Sequence, residues 1–157
     1  MKTLVHTERE EIENVIRACK VCYVGMADTD GNPYVIPMNF GYQDGVICLH
    51  SAQEGRSISI LERNPRVCIT FCTDPALAYQ HEQVACSYRM RGSSVLGWGN
   101  VEFVEDMEQK REMLNILMKQ YSGREFTYSD PAVRNVKVWK VVLGEVTCRE
   151  FGAPHQK

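Results

Sequence analysis

Pro33-Tyr34-Val35-Ile36-Pro37-Met38-Asn39-Phe40-Gly41-Tyr42, then Gln43-Asp44-Gly45, then Val46-Ile47-Cys48-Leu49-His50-Ser51-Ala52, then Gly55-Arg56-Ser57 and on to Asn64: this stretch decides the fold. Asp44-Gly45 between two apolar runs signals a hairpin, because a two-residue turn needs positive φ and Gly45 supplies it without steric cost. The second strand ends in the polar pair His50 and Ser51, where its apolar run stops. Gly55-Arg56-Ser57 then opens a helix. Its unpaired N–H groups and partial positive charge, with the Arg56 guanidinium and the Ser57 hydroxyl, make a phosphate seat. Taken singly, His50 also reads as a rim histidine, Ser57 as a plain cap and Arg56 as a solvated charge. Their ordered succession is what points to a ligand.

The chain has 157 residues, one domain's worth spanning 1–157, enough to remove roughly 70% of the unfolded surface from water. A net charge of -2 does not describe a nucleic-acid binder, which needs a basic excess to release counterions from phosphates. The first residues, Met1 to Glu8, turn polar too soon for a signal peptide, and no apolar run approaches the roughly 18 residues of a membrane span. A cytoplasmic protein with no membrane partner is expected. Seven cysteines are an odd number, so a complete internal disulfide framework is excluded and reduced thiols are expected. Cys19 and Cys22 have the spacing of half a zinc site, but the comparable pair, Cys68 and Cys72, lies in a β-branched run, so no metal is expected.

From the hairpin outward, the pattern continues on both sides. Thr7 to Cys19 reads as an amphipathic helix, opened by a Thr7/Glu10 capping box and carrying Ile12, Val15, Ile16 and Cys19 on one face. Val21 to Asp28 reads as a strand, and Asp28 to Asn32 as a turn. Pro37 argues for an edge, a bulge or a ligand-facing position, since it cannot donate a ladder hydrogen bond. A short helix from Gly55 to Arg63 ends at Asn64-Pro65, and Arg66 to Thr73 alternates as a strand. Asp74 to Ala85 is polar and irregular, with room for a helical turn at Ala76 to Tyr79. Cys86 to Val104 reads as a long strand or a bent pair, whose Gly92, Gly97 and Gly99 mark bulges, corners or close approaches. Asp106 to Tyr121 is a helix with Leu114, Leu117 and Met118 as its buried stripe, and Asn135 to Glu150 a closing strand carrying Trp139. About six strands and two to three short helices without βαβ alternation predict a mainly β (α+β) protein, a small antiparallel barrel flanked by helices.

These residues resemble the pyridoxamine-phosphate-oxidase-like split β-barrel flavoproteins, specifically their 5-nitroimidazole-resistance (Nim-type) branch. The carriers are Tyr34 to Phe40, Leu49-His50-Ser51-Ala52, Gly55-Arg56-Ser57, Arg63-Asn64-Pro65 and Ser93-Ser94-Val95-Leu96-Gly97-Trp98-Gly99. The resemblance implies a homodimer holding FMN, or alternatively FAD, in two symmetric clefts at the subunit interface. It puts Pro37, Met38, Asn39 and Phe40 along the isoalloxazine, and His50 and Ser51 by the ribityl chain and phosphate. Arg56 and Ser57, behind Gly55, fall on the phosphate, and Ser94 and Val95 line the same cleft. Position 57 departs from the pattern, since many relatives carry lysine where this chain has serine. So does the end of the chain, where Phe151-Gly152-Ala153-Pro154 lacks the arginine-bearing segment of true pyridoxamine-phosphate oxidases, so that activity is not expected.

The reading is a flavin-dependent oxidoreductase of the nitroreductase type, with a nicotinamide electron donor and a small nitroaromatic acceptor. His50 is the candidate catalytic residue, donating a proton or holding charge near the flavin, or else a neutral hydrogen-bonding rim residue. Trp98 and Trp139 either stack on the ring or pack the core. The alternative class is a non-enzymatic flavin- or haem-binding carrier or sensor.

Overall fold

The computed structural model describes residues 2–153. In chain order its elements are β1 (Lys2–His6), α1 (Arg9–Ala18), β2 (Cys22–Ala27), β3 (Pro33–Met38), β4 (Gly41–Gln43), β5 (Val46–Ser51) and α2 (Arg56–Leu61). There follow β6 (Arg66–Cys72), β7 (Ala76–Ala78), a 3-10 turn (Ala85–Ser87), β8 (Arg89–Val104), α3 (Met107–Ser122), α4 (Asp130–Arg134), β9 (Lys137–Val142) and β10 (Glu145–Ala153).

The hairpin forms as its sequence requires. β4 and β5 pair Gln43 with Val46, and φ is 50° at Asp44 and 80° at Gly45, both left-handed as a two-residue primed turn demands. The 16-residue β8 organises everything else. Its Gly92–Trp98 portion pairs with β10, Ser94–Asn100 with β6, and Val101–Val104 with β9, all antiparallel. The sheet path is β3-β2-β6-β8-β9-β5-β4, with β10 joining β8 to β1. Among the described residues β3 and β4, at the two ends of that path, do not pair with each other, so the barrel is split rather than closed. Pro37 therefore stands on an edge strand, where its missing N–H costs no ladder bond.

Alternation along the strands fills the interior. Val24, Ile47, Leu49, Ile69, Phe71, Val95, Trp139 and Val141 are essentially inaccessible, and α1 adds the fully buried Ile16, with Ile12 and Val15 packed beside it. A second cluster forms on the far side of β5 and β9, where α3 lays Met113 against Cys48, Val104 and Val138. Gly41 permits this docking, because a Cβ there would lie 2.5 Å from Leu117 Cα.

Several expectations are corrected. Among the described residues the sheet has 10 strands rather than about six, and four α-helices rather than two or three flank it. α1 is capped at Glu8 with no side-chain cap bond. The Thr7/Glu10 box does not form, since Thr7 is still turning out of β1, and the helix is braced instead by Glu13 between Arg9 and Arg17. Ala76–Ala78 is a strand pairing with Arg89–Arg91, not a helical turn; the free edge of β8 overrides local preference. The closing strand is two strands that break at Leu143-Gly144, where the Gly144 N–H bonds to Trp98 O at 2.9 Å and the chain moves from lying between β5 and Val101–Val104 of β8 to lying between β1 and Gly92–Trp98 of β8. Of the chain-end motif, Pro154 lies outside the described residues, while Phe151, Gly152 and Ala153 finish β10. No described helix is long and apolar enough to cross a membrane.

Candidate functional site

β5 delivers His50 and Ser51 opposite Val138 and Lys137 of β9. Successive strand residues face opposite ways. Ser51 turns with Leu49 toward the barrel, accepts from Trp139 Nε1 at 3.0 Å and donates to Ala52 O at 2.8 Å. His50 turns toward the side covered by α3. Its Nδ1 is buried without a hydrogen-bond partner, and burial pushes its pKa below the ordinary value, so the imidazole is neutral near pH 7. A buried polar atom left unpaired is costly, which marks this nitrogen as a place for a partner from outside the chain.

The segment beyond Ser51 is tied down by the chain that leads into β9, the strand beside β5. Gln53 Nε2 donates to Arg134 O at 2.6 Å and to Val136 O at 3.0 Å. The buried Lys110 of α3 donates to the same Val136 oxygen at 3.1 Å. This fixes where Gly55 starts α2, a helix held by Ile58, Ile60 and Leu61 in the core. Arg56 lies over the Tyr34 ring, 4.6 Å from its centroid, and makes no ion pair among the described residues. It lines a cavity of about 210 Å³ with Asp28, Thr29, Asp30, Ser59, Ile60 and Arg63. Asp28 is held below the usual carboxylate range by hydrogen bonds from Asn32, with the Arg56 charge adding to them. Two guanidiniums thus face two carboxylates across this cavity.

The strand expected along a ring divides by burial. Pro37 and Asn39 are exposed and Met38 half-buried, whereas the Phe40 side chain is fully buried, edge-on to Phe71 at 4.9 Å. The Phe40 N–H is already given to the Tyr121 hydroxyl at 2.9 Å, and that hydroxyl donates to Lys20 O at 2.7 Å. The ladder Gly41↔Cys48 and Tyr42↔Ile47 runs toward Asn39 and His50, so Asn39, just outside β4, lies level with His50, which is still in β5 and paired with Val138. Ser57 is half-buried at the start of α2. Val95 is buried between Phe71 and Cys148 and faces the core, while Ser94, between Cys72 and Arg149, faces outward. In the single chain, then, Asn39 lies level with His50 at the end of the β4–β5 hairpin, Arg56 stands over Tyr34 near the start of β3, the other end of that strand from Asn39, and Ser94 and Val95 stand apart on the middle of β8. Trp139 is fully buried core rather than a stacking surface, and Trp98 is half-buried on the outer face.

Sequence reasoning missed Tyr34, Gln53, Lys110 and Tyr121 as supporting residues. Each acts across the fold, on partners 22 to 101 positions away, and no local pattern marks such contacts.

The arrangement has known counterparts. A family model described as pyridoxamine 5′-phosphate oxidase matches residues 8–150. No curated protein matches the chain. Among solved structures, a candidate 5-nitroimidazole antibiotic resistance protein from Bacteroides thetaiotaomicron is 50% identical, covering 95% of this chain and 87% of its own, with a TM-score of 0.86. The flavocytochrome Anf3 from Azotobacter vinelandii superposes at a TM-score of 0.81 with 20% identity, over 98% of this chain and 72% of its own. The FAD and heme binding protein from Mycobacterium smegmatis does so at 0.83 with 15% identity, over 100% and 77%. The last two share the fold. With the family model matched over residues 8–150 and half of all aligned positions identical in the first of these structures, the chain belongs to the pyridoxamine 5′-phosphate oxidase-like family of split-barrel proteins.

Proposed function

We propose that the chain binds a flavin, FMN or alternatively FAD, and works as an oxidoreductase of the nitroreductase type, with a nicotinamide donor and a small nitroaromatic acceptor. The observation that carries the reading is His50 Nδ1, buried and unpartnered at the end of β5, level with Asn39 and one loop away from Arg56. The residues present fit such a group. A neutral imidazole offers one ring nitrogen to a polar atom of the ligand, and the outer edge of β3 offers unpaired main chain to a planar ring. Arg56, in no ion pair among the described residues and held over Tyr34, offers its guanidinium to a phosphate. A bound flavin would supply the two-electron redox chemistry. The chain's part is to orient the ring, exclude water through the Phe40 and Phe71 packing behind it, and hold a proton at His50 Nδ1. The 50% identical relative, named for 5-nitroimidazole resistance, supports a nitroaromatic acceptor.

The same reading includes a homodimer. Val35 is 61% exposed on β3, and Leu96 and Trp98 of β8 alternate with the inward Val95, Gly97 and Gly99, so they face away from the core. This apolar outer surface suits a second copy of the chain. A carrier or sensor is the second reading, favoured by the cofactor-binding name of the Mycobacterium smegmatis protein. Steady-state oxidation of reduced nicotinamide in the presence of a nitroimidazole separates the two: an enzyme sustains turnover, whereas a carrier stops after one equivalent.

A further inference from the structure

Two cysteines from distant parts of the sequence share one cavity. Cys19 ends α1, and Cys72 ends β6. The ladder Cys22↔Phe71 brings the end of β6 beside the segment that enters β2 from Cys19. Both thiols line a cavity of about 210 Å³ with Ala18, Lys20, Val21, Tyr23 and Asp74. The backbone amide and the side chain of Cys72 are both near enough to act on the Cys19 thiol, which also donates to Val15 O at 3.2 Å. In the single chain Cys72, at the edge of the outward face of β6 opposite Ser94, is exposed and Cys19 buried. The remaining cysteines differ: Cys22, Cys48 and Cys148 are buried, Cys68 is half-buried, and Cys86 is exposed on another segment.

We propose that Cys19 and Cys72 are an oxidisable thiol pair that closes into a disulfide by exchange with a low-molecular-weight disulfide of the glutathione type. Burial pushes the Cys19 thiol up to about 11, so it stays protonated and the exposed Cys72 reacts first. The Cys72 thiolate attacks one sulfur of the small disulfide, whose S–S bond breaks; a mixed disulfide forms on Cys72 and one small thiol leaves. Cys19 then gives up its proton and attacks Cys72 Sγ, expelling the second small thiol. Two protein thiols lose two electrons, the small disulfide gains them, and both protons end on the released thiols. The product ties the end of α1 to the end of β6, next to the strand that carries Ser94, and a reducing thiol pool reopens it.

The test is exposure of the native full chain to oxidised glutathione, followed by alkylation under acid conditions and peptide mapping by mass. The expected result is a product lighter by two hydrogens, in which the Cys19 peptide is joined to the Cys72 peptide. Cys19→Ala should instead accumulate glutathione on Cys72, and Cys72→Ser should yield neither product. The wild-type map decides by itself should Cys19→Ala fail to fold. Wild-type protein that stops at glutathione on Cys72, leaves Cys72 unreacted, or links Cys72 to any other cysteine or to a second copy overturns the proposal.

Discussion

The indole Nε1 of Trp139 donates to Ser51 Oγ across 3.0 Å, joining the floor of the barrel core to the rim residue beside His50. The Ser51 hydroxyl in turn donates to Ala52 O at 2.8 Å, so it is committed to the protein and positions the end of β5. Ser51→Ala leaves a fully buried indole N–H without its acceptor, at a cost of about 1–3 kcal/mol. The expected outcome is a lower urea midpoint with an unchanged m-value. A midpoint equal to that of the wild type would show that the Trp139 bond contributes nothing net.

Gly41 is predicted to tolerate no side chain. A Cβ there would stand 2.5 Å from both Leu117 Cα and Leu117 N. These are backbone atoms of α3 that can yield only if the helix shifts. Gly41→Ala should destabilise by about 1–3 kcal/mol or more and loosen the Tyr121 bond to the Phe40 N–H. Hydrogen exchange at Phe40 checks the second effect, and a protection factor unchanged from wild type contradicts it.

Stability should respond to pH through His50. Its folded pKa is lowered by burial, so the unfolded chain takes up the proton more readily than the folded one. Its contribution is therefore complete above about pH 6.5, the unfolded value, and is lost as the pH falls through the lower folded value. Carboxylates add their own acid limb, so the informative quantity is the difference from a variant. Denaturation midpoints measured at about pH 7.5 and about pH 5.5 should fall less in His50→Leu than in wild type. Equal falls would mean that His50 is solvated in the folded chain.

The parts of the fold read correctly from sequence are those set by neighbours in the chain. Asp44-Gly45 fixes its turn through its own φ angles, and the apolar run Val46 to Leu49 after it forms a strand buried on both faces, Ile47 and Leu49 in one cluster and Cys48 in the other. Asp106 caps α3 locally, by accepting from the Gln109 N–H at 2.9 Å. The failures lie where a distant strand decides. Ala76–Ala78 becomes a strand only because Arg89–Arg91 presents an edge to it, and the valine-rich run after Asn135 breaks because β9 and β10 pair with different portions of β8 and with different second neighbours, β5 and β1. The same division runs through the site. His50, Ser51 and the Gly55-Arg56-Ser57 start were legible as a succession along the chain, while the aromatic platform of Tyr34 under Arg56 and the tether of Gln53 arise from tertiary packing. Phe40 shows the cost of reading a strand as one surface, since pleating sends its ring into the core and its N–H to Tyr121.

Arg56→Ala should separate a phosphate contact from a structural one. Loss of a charge-assisted contact predicts about ten- to a hundred-fold weaker FMN binding, with riboflavin affinity nearly unchanged because it lacks the phosphate. Loss of the stacking on Tyr34 adds only about 0.5–1 kcal/mol of destabilisation. Titration of both ligands against both proteins reads this directly. Parallel weakening of FMN and riboflavin moves the phosphate seat elsewhere, with Arg63, in the same cavity, as the next residue to test.

The central claim is that this chain holds a flavin, and the measurement that tests it most directly is fluorescence titration of FMN with the purified protein. The account predicts saturable quenching at micromolar concentration, reaching one flavin per chain, with a yellow protein recovered after gel filtration. Flavin fluorescence that stays unquenched, with a colourless protein eluting from the column, would contradict it.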